Sequence, residues 1–292
     1  MTPTDSFFAP HVVCRPALPS DAADVLEFTK FIWDGHDYIQ YVWKDWFADP
    51  DGLLAVAQYG PHALGMGKVT LLSPGQWWLE GLRVDPRFQG MKIGSHLHEY
   101  LNAWWLKHCD GTLRLMTSSQ RVQVHHLCER TGFAKVAEVT GYDAPALADT
   151  SHAFQVIGPD DVQPAAEFAA LHSAPFGALM DSGWRFSAPD ERALMVTALQ
   201  QRLFWWRGRE ALFTLWEDEE DSRLGVGLAA VAAPLLTDLL LDTRRLAAEK
   251  HLTSVRWHAP LGDEVQTALQ AAGFVTDWDA PAYLFAKPHP SS

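Results

Sequence analysis

The sequence predicts an α/β fold that occurs twice in the chain, each time as a mixed, mostly antiparallel sheet flanked by helices. A chain of 292 residues has room for about two domains. The segment RPALPSDAADVLEF, which ends at Phe28, returns 140 residues later as QVIGPDDVQPAAEF, which ends at Phe168. The dipeptide Gly-Phe at 132–133 returns 141 residues later at 273–274. Landmarks in the same order at nearly one spacing indicate a duplicated domain, since two units are too few for a solenoid.

The boundary between the two domains is expected in the stretch DAPALADTS (143–151), which is small, polar and contains a proline. We therefore predict one domain over residues 1–148 and a second over residues 149–292.

Hydrophobic periodicity in the first half predicts the element order β-α-α-β-β-β-α-β-α-β. A strand at 11–16 leads to Ser20, a residue type that often caps a helix, and then to a helix at about 21–33. Further helices are expected at about 38–48, 93–108 and 121–132, the last one ended by a glycine. The other strands follow the stretches GLLAVAQ, ALGMGKVTLLS, QWWLEGLRV, TLRLMTSS and FAKVAEVTGYD.

The second half repeats this pattern less completely. WEDEEDSR (216–223) is typical of a solvated hairpin turn, and DAPAYLFAKP (279–288) of a closing strand.

Charge and composition narrow the classes of function. The net charge is −13, and both halves are acidic, with 12 basic and 17 acidic residues in 1–150 and 11 and 19 in the remainder. Such a balance argues against non-specific nucleic-acid binding. No apolar run reaches the roughly 20 residues that span a bilayer, and the N-terminus does not resemble a secretion signal. The three widely spaced cysteines (Cys14, Cys109 and Cys128) indicate reduced thiols in a cytoplasmic protein.

The stretch RVDPRFQGMKIG (83–94) connects a predicted strand to a predicted helix with little side chain at the corner. The first N–H groups of a helix lack partners inside it, and glycines allow an anion to approach the backbone. Gly90 and Gly94, with Lys92 between them, therefore suit a phosphate. The alternative is an ordinary tight turn, because glycine fits such turns without any ligand.

Two stretches resemble motifs of the GNAT N-acetyltransferase superfamily. LEGLRVDPRFQGMKIGSHL (79–97) resembles the family's acetyl-CoA pyrophosphate loop, and RVQVHHLCERTGF (121–133) resembles its later helix. The likeness covers about residues 11–145 and implies two tandem GNAT-like domains, acetyl-CoA as cosubstrate and an amine as acceptor. It implies cofactor contacts at Leu82, Arg83, Val84, Gln89, Gly90, Met91, Lys92, Ile93, Gly94, Ser95 and Arg121.

The sequence departs from the family pattern at three positions. Lys92 stands where the family usually has the middle glycine of the loop, Arg121 where it usually has asparagine, and Cys128 where it often has a tyrosine that protonates the thiolate. Lysine is harmless in the loop if its backbone stays right-handed and costly if the position needs a positive φ.

The resemblance places Glu80 on the central strand, facing the cleft. An alkylammonium must lose a proton before it attacks a thioester, so Glu80 is the candidate base, directly or through water. The alternative is that Glu80 anchors the amine or pairs with Arg83 or Lys68. Cys128 is the candidate acid, although a small buried hydrophobic residue fits it as well. Tyr142 as an acid is a further alternative.

The stretch FIWDGHDYIQYVWKDWFADP (31–50) is dense in aromatic residues, and the family fold places it along the acceptor. We expect Trp33, Asp37, Tyr38 and Glu80 to contact the substrate, and most other aromatics of the stretch to be core. Together with EGLRV (80–84), it resembles the histidine N-acetyltransferase-like branch, which suggests an amino-acid acceptor. No metal site is expected, because the histidines lack ligand spacing.

The second half offers one candidate corner, AAPLL (232–236), which has no glycine pair and whose Pro234 lacks an N–H. We predict that this half keeps the fold without a cofactor site, and the sequence leaves a homodimer open. The leading prediction is a small-molecule N-acetyltransferase. An acyl-CoA-binding sensor or scaffold and a protein or peptide N-acetyltransferase are the alternatives.

Overall fold

The structure, a computed structural model, describes residues 12–150, 153–218, 221–276 and 278–291. The helices are α1 (Ala22–Thr29), α2 (Ile39–Ala48), α3 (Ile93–His108), α4 (Val122–Arg130), α5 (Val162–His172), α6 (Glu191–Leu199), α7 (Leu236–Glu249) and α8 (Asp263–Ala271). The strands of the first half are β1 (Val13–Pro16), β2 (Leu53–Tyr59), β3 (His62–Ser73), β4 (Gln76–Val84), β5 (Thr112–Ser118) and β6 (Ala134–Pro145). Those of the second half are β7 (Phe154–Val156), β8 (Met180–Asp181), β9 (Phe186–Ser187), β10 (Leu203–Trp206), β11 (Ala211–Asp218), β12 (Arg223–Val231), β13 (Ser254–Pro260) and β14 (Ala282–Pro288).

The predicted element order of the first half is confirmed, with differences at the start. Residue 11 lies outside the described residues, and the first strand begins at Val13. Ser20 does not cap a helix, because Pro19–Asp21 forms a 3₁₀ turn first. The Asp21 carboxylate accepts the Leu18 N–H at 2.7 Å there and also binds a nearby arginine. Helix α1 then ends at Thr29, four residues before its predicted end.

Twelve strands of the described residues form one sheet, in which the two halves exchange their last strands. The order is β1-β2-β3-β4-β5-β14-β6-β13-β12-β11-β10-β7. Strand β14, at the end of the chain, lies between β5 and β6, while β6 pairs with β13 of the second half. Each half therefore completes the sheet of the other. Strand β6 also extends to Pro145, inside the predicted boundary stretch, and the division at 148 stays a prediction.

The central strands of each half separate partway along their length. Strand β4 pairs with β5 in parallel only from Gln76 to Trp78, opposite Thr112 to Arg114. In the second half, β12 pairs with β13 only from Arg223 to Val226. Beyond these short ladders a gap opens between the two strands of each pair, and what fills each gap distinguishes the halves.

Helices cover both faces of the first half's sheet. On one face, Leu97, Leu101 and Trp105 recur at four-residue spacing along α3 and are fully buried against β2–β5. On the other face, α1 and α2 bury Phe28, Ile39 and other side chains against β2 and β3. None of the helices in the described ranges is long and apolar enough to cross a membrane.

Candidate functional site

A cavity of about 910 Å³ opens where β4 and β5 separate. Most of the β4 and β5 residues that line it lie beyond the last β4–β5 pair, from Leu79 to Arg83 and from Leu115 to Ser118. Gly81, at φ +63°, sits where the register of β4 against β3 shifts, and a Cβ there would collide with the ring of Trp46. The bulge at this glycine therefore shapes the wall of the cavity.

Strand β4 ends at a corner, residues 85–92, whose last four residues have free backbone donors. In the described part of the chain, none of the seven N–H groups from Gln89 to Ser95 has a protein acceptor. The first one that is bonded is His96, to the Lys92 carbonyl. Gly90 lies at φ +82°, with nothing within 4 Å of where a Cβ would stand. The corner thus presents a run of unpartnered donors at the start of α3, which is the arrangement that binds anions.

Lys92 occupies the left-handed region, at φ 62° and ψ 10°, as the residue before α3. The sequence left two possibilities, and the structure gives the costly one, because a side chain in this conformation is less stable by about 1–2 kcal/mol. The lysine side chain is exposed beside the free N–H groups, where its charge favours an anion.

The predicted cofactor residues divide into two groups. Leu82, Arg83 and Arg121 line the cavity. Val84 and residues 89–95 lie at the end of β4 and in the corner, where Ile93 is buried in the core and has only its backbone to offer a ligand.

Glu80 lies in the cavity, with its side chain 9% exposed. One carboxylate oxygen accepts the Thr70 hydroxyl at 2.6 Å, and the other accepts Nε of Arg185 at 2.9 Å. The alternative partners that the sequence left open for Glu80, Arg83 and Lys68, are therefore not the ones it binds. Lys68 pairs with Asp49, and Arg83 pairs with Asp37 at 2.7 Å.

Three of the four predicted substrate contacts, Glu80 included, line the cavity, and one does not. Trp33 and Tyr38 lie on the wall, and Arg83 stacks on the Trp33 ring at 4.2 Å. Burial raises the pKa of the Tyr38 phenol, which therefore stays protonated at neutral pH. Asp37, however, is 2% exposed and accepts Nε of Arg83 and the N–H of Ile39. Its predicted contact with substrate is corrected: Asp37 orients Arg83.

The prediction of Cys128 as the acid is also corrected. Its side chain is 0% exposed and packs in the core with Leu101 and Phe133, outside the cavity lining. Burial raises the pKa of the thiol to about 12, so Cys128 is a neutral core residue. Tyr142 does not reach the cavity either, because it lies on β6 opposite Trp257, in the core of the second half.

A buried histidine lies at the edge of the cavity. His98 is 1% exposed, and its Nε2 lies 2.8 Å from the Thr131 hydroxyl. Burial lowers the pKa of His98 to about 4, which leaves the imidazole neutral at pH 7. The described residues contain no cluster of side chains suited to a metal ion.

The sequence left open that the second half closes the acceptor cleft, but it did not identify the residues that this half supplies. The connection between α5 and α6 has 18 residues (173–190), whereas its counterpart between α1 and α2 has nine (30–38). The longer connection carries the β8–β9 hairpin, whose turn places Trp184 and Arg185 on the cavity wall. Trp278, which precedes β14, stacks on Trp184 at 5.4 Å. The sequence SGWRFS (182–187) matches no motif. Only the excess length of the connection between α5 and α6 could have indicated that this segment contributes to the cavity.

The corresponding gap in the second half is nearly closed. It contains a cavity of about 10 Å³, lined by Phe176, Phe186, Trp257 and His258 among others. The segment 174–187 fills it, and a Cβ on Gly227 of β12 would collide with the Asp181 carbonyl oxygen. His258 Nδ1 lies 2.6 Å from the Asp181 carboxylate inside this packing. The second corner is also shorter, with four residues (232–235) between β12 and α7 against eight between β4 and α3.

Part of the chain matches a known family model. Residues 21–133 match the model described as "Acetyltransferase (GNAT) family". No curated protein matches the sequence of this chain significantly.

Solved structures match the fold over nearly the whole chain. A GCN5-related N-acetyltransferase from Sphaerobacter thermophilus has 17% identity and a TM-score of 0.61, with 95% of each chain covered. A putative acetyltransferase from Thermoplasma acidophilum has 13% identity and a TM-score of 0.60, with 94% of this chain and 99% of that one covered. A tandem GNAT protein from the clavulanic acid biosynthesis pathway has 12% identity and a TM-score of 0.59, with 96% and 99% covered. The chain therefore has the fold of tandem GNAT proteins, and its residues 21–133 match the sequence model of the GNAT acetyltransferases.

Proposed function

We propose that this chain transfers an acetyl group from acetyl-CoA to the amine of a small molecule, and that residues 1–148 carry the reactive groups. The observation that supports this most is the arrangement along β4. The strand carries Glu80 in a cavity of about 910 Å³ and ends at a corner with seven free N–H groups. A base and an anion site on one strand suit a reaction between an amine and a coenzyme A thioester.

The residues of the corner fit the diphosphate of the cosubstrate. Free N–H groups at a helix start attract phosphate oxygens, and Gly90 leaves the approach open because nothing lies within 4 Å of its missing Cβ. Lys92 and Arg121 add positive charge. Bound acetyl-CoA would supply the acetyl thioester, and Leu82, Arg83 and Val84 on β4 would contact the part of it inside the cavity.

Glu80 holds the acceptor and takes its proton. The amine arrives as an ammonium ion, and a carboxylate that is 9% exposed attracts it strongly and removes a proton, directly or through water. The free amine nitrogen then forms a bond with the acetyl carbon, and the carbon–sulfur bond breaks. The products are the amide and the coenzyme A thiol, and one proton is released to solvent. Backbone N–H groups of β4 would stabilise the developing oxyanion.

The second half, residues 149–292, binds no cofactor in this proposal. Its gap between β12 and β13 is filled by segment 174–187, and two N–H groups at its short corner are bonded within the protein. The N–H of Leu235 bonds the Ala232 carbonyl, that of Leu236 bonds the Ala233 carbonyl, and Pro234 has none.

Release of free thiol from acetyl-CoA tests the proposal. The panel contains simple amines, free amino acids including histidine, and short peptides, each assayed with the full chain and with Gly90→Asp as a cofactor-site control. Thiol release that depends on a free amine or amino acid, and is lost in Gly90→Asp, is the expected result. Acetyl-CoA binding without any acceptor-dependent release would instead indicate a sensor, and release with peptides alone would indicate a peptide acetyltransferase.

A further inference from the structure

The cavity contains an ion pair that joins the two halves of the chain. Glu80 lies on β4 of the first half, and Arg185 lies in the β8–β9 turn of the second. Their contact is 2.9 Å from Arg185 Nε to Glu80 Oε2, with side-chain exposures of 33% and 9%. Both residues line the same cavity. A charge pair in this position meets any acceptor that approaches Glu80.

Arg185 keeps unused donors. Its Nε is the atom that binds Glu80, and its two terminal nitrogens hydrogen-bond no residue in the described part of the chain. The guanidinium of arginine is suited to binding a carboxylate with two parallel hydrogen bonds. Arg185 is therefore able to accept a second anion while it stays beside Glu80.

The other charges near the acceptor end are already compensated within the protein. Arg83 is held by the buried carboxylate of Asp37 at 2.7 Å, and the buried ammonium of Lys68 is held by Asp49. Arg121 lies at the start of α4, on the side of the cavity expected to face the cosubstrate. The Glu80–Arg185 pair is thus the pair that an acceptor must rearrange.

This rearrangement has different consequences for different acceptors. A simple alkylammonium that binds Glu80 displaces Arg185 and leaves its charge without a partner in a mostly enclosed site, which is unfavourable. A zwitterion brings its own carboxylate. The Glu80–Arg185 ion pair is then replaced by two, one between Glu80 and the ammonium group and one between Arg185 and the carboxylate. The pair therefore favours an acceptor with a carboxylate near its amine.

Aromatic side chains surround the ion pair. Trp184 stacks on Trp278 at 5.4 Å with 13° between the ring planes, and Trp33, Tyr38 and Trp78 also line the cavity. Such walls suit a flat or bulky apolar group, which gains from burial and from stacking on the rings.

We propose that the acceptor is an α-amino acid with an aromatic or large apolar side chain, and that Arg185 of the second half binds its carboxylate while Glu80 takes its ammonium group. This inference rests on the proposed acetyl transfer and specifies its substrate class. It makes the non-catalytic half the source of a specificity-determining residue.

The test compares matched acceptors that differ only in the carboxylate: phenylalanine, phenylalanine amide and 2-phenylethylamine. The kcat/KM of each is measured for the wild type, Arg185→Met and Arg185→Lys. The wild type should prefer phenylalanine over the other two by about 30-fold or more, because an unpaired charge in such a site is strongly unfavourable. Arg185→Met should lose most of this preference, chiefly through the KM of phenylalanine, and Arg185→Lys should restore part of it.

A matched control removes a different arginine that joins the halves. Arg256 on β13 binds Asp143 on β6 at 2.7 Å, outside the cavity lining. Arg256→Met should leave the preference for phenylalanine unchanged. This control distinguishes binding of the substrate carboxylate by Arg185 from a general weakening of the contact between the two halves.

Two outcomes overturn the proposal, and they are distinguishable. If the wild type acetylates 2-phenylethylamine as well as phenylalanine, or if Arg185→Met slows all three acceptors equally, acetyl transfer stands and the role of Arg185 is wrong. If no amine releases thiol, the proposed function itself fails. The wild-type comparison needs no variant, so it decides the question even if Arg185→Met does not fold.

Discussion

The two halves of the molecule open the same gap in the sheet and use it differently. Strands β4 and β5 separate after Trp78, and strands β12 and β13 separate after Val226. The first gap contains about 910 Å³ of cavity, and the second about 10 Å³. Two residues beyond the last pair, β4 carries Glu80 and β12 carries Leu228, which is 1% exposed. A shared fold therefore does not determine a shared site, because side chains and connections decide what the gap contains.

The second half also contributes residues to the cavity of the first half. The segment that fills its own gap, 174–187, carries Trp184 and Arg185 into the cavity of the first half. The same connection thus closes one site and completes the other. The exchange of β6 and β14 fixes the two halves relative to each other so that this contact is stable.

The largest expected effect is that of cutting the chain after residue 148. The fragment 1–148 loses β14, the strand between β5 and β6, and exposes the edges of both. We expect an insoluble or incompletely folded fragment without activity, and recovery when residues 149–292 are co-expressed. Solubility, circular dichroism and thiol release measure this. A soluble fragment with full activity would show that the halves are independent.

Charge at the first corner should affect cofactor binding next most strongly. Gly90→Asp places a carboxylate among the free N–H groups and should weaken acetyl-CoA binding by about 100-fold or more. Gly208→Asp is the matched control, since Gly208 also has a positive φ of +70° and open space, but lies in a turn of the second half. Calorimetry should give one acetyl-CoA per wild-type chain. Two equivalent sites per chain would contradict the contrast between the halves.

The carboxylate that β4 carries into the first gap should control the rate. Glu80→Gln should lower kcat/KM by roughly 100-fold at pH 7, and the loss should shrink at high pH, where the acceptor amine is already neutral. The affinity for acetyl-CoA should change little. Glu138→Gln, at an exposed glutamate paired with Lys135, serves as control. A pH profile that moves down in parallel would make Glu80 a positioning residue.

Each gap also has a buried histidine, and only that of the second half has a carboxylate partner. The pKa of His98 is lowered to about 4 by burial, whereas an unfolded histidine titrates near 6.5. Between these pH values the unfolded state binds more protons than the folded state. The free energy of unfolding therefore has its full value above pH 6.5 and falls by up to about 3 kcal/mol as the pH drops to 4. His98→Gln should remove this part of the acid sensitivity in urea unfolding curves. An unchanged pH dependence would mean that His98 is charged in the folded protein.

The smallest effect is expected at Lys92, the left-handed residue of the first corner. The corresponding corner of the second half, residues 232–235, has no left-handed residue. Lys92→Gly should raise the free energy of unfolding by about 0.5–1 kcal/mol, because relief of the left-handed strain exceeds the added freedom of the unfolded chain. Lys92→Ala keeps the strain and should not stabilise. Both variants lose the lysine charge and should bind acetyl-CoA more weakly to a similar degree. Equal stabilities of the two variants would contradict the strain.

The parts of the fold that depend on local pattern were predictable, and the parts that depend on distant contacts were not. The order of the first half's elements followed from alternating and helical periodicity, and the corner followed from glycine spacing. The helix boundary after Thr29 was missed, because the left-handed backbone of Trp33 and Asp34, which a helix cannot contain, is not visible in the apolar pattern. In the site, Trp33, Tyr38 and Glu80 line the cavity, and their contact with substrate stays a prediction. Asp37 and Cys128 lie outside the lining, since burial and partners decide whether a polar side chain reaches a ligand.

The sequence by itself determined the duplicated α/β architecture, the glycine corner of the first half and the glycine-free corner of the second half. Each of these is encoded by residues close together in the chain. Only the tertiary structure decided the exchange of β6 and β14, the filling of the second gap and the pairing of Glu80 with Arg185. The last two residues are 105 positions apart. Their contact depends on how two halves pack, and no local pattern of residue types specifies such packing.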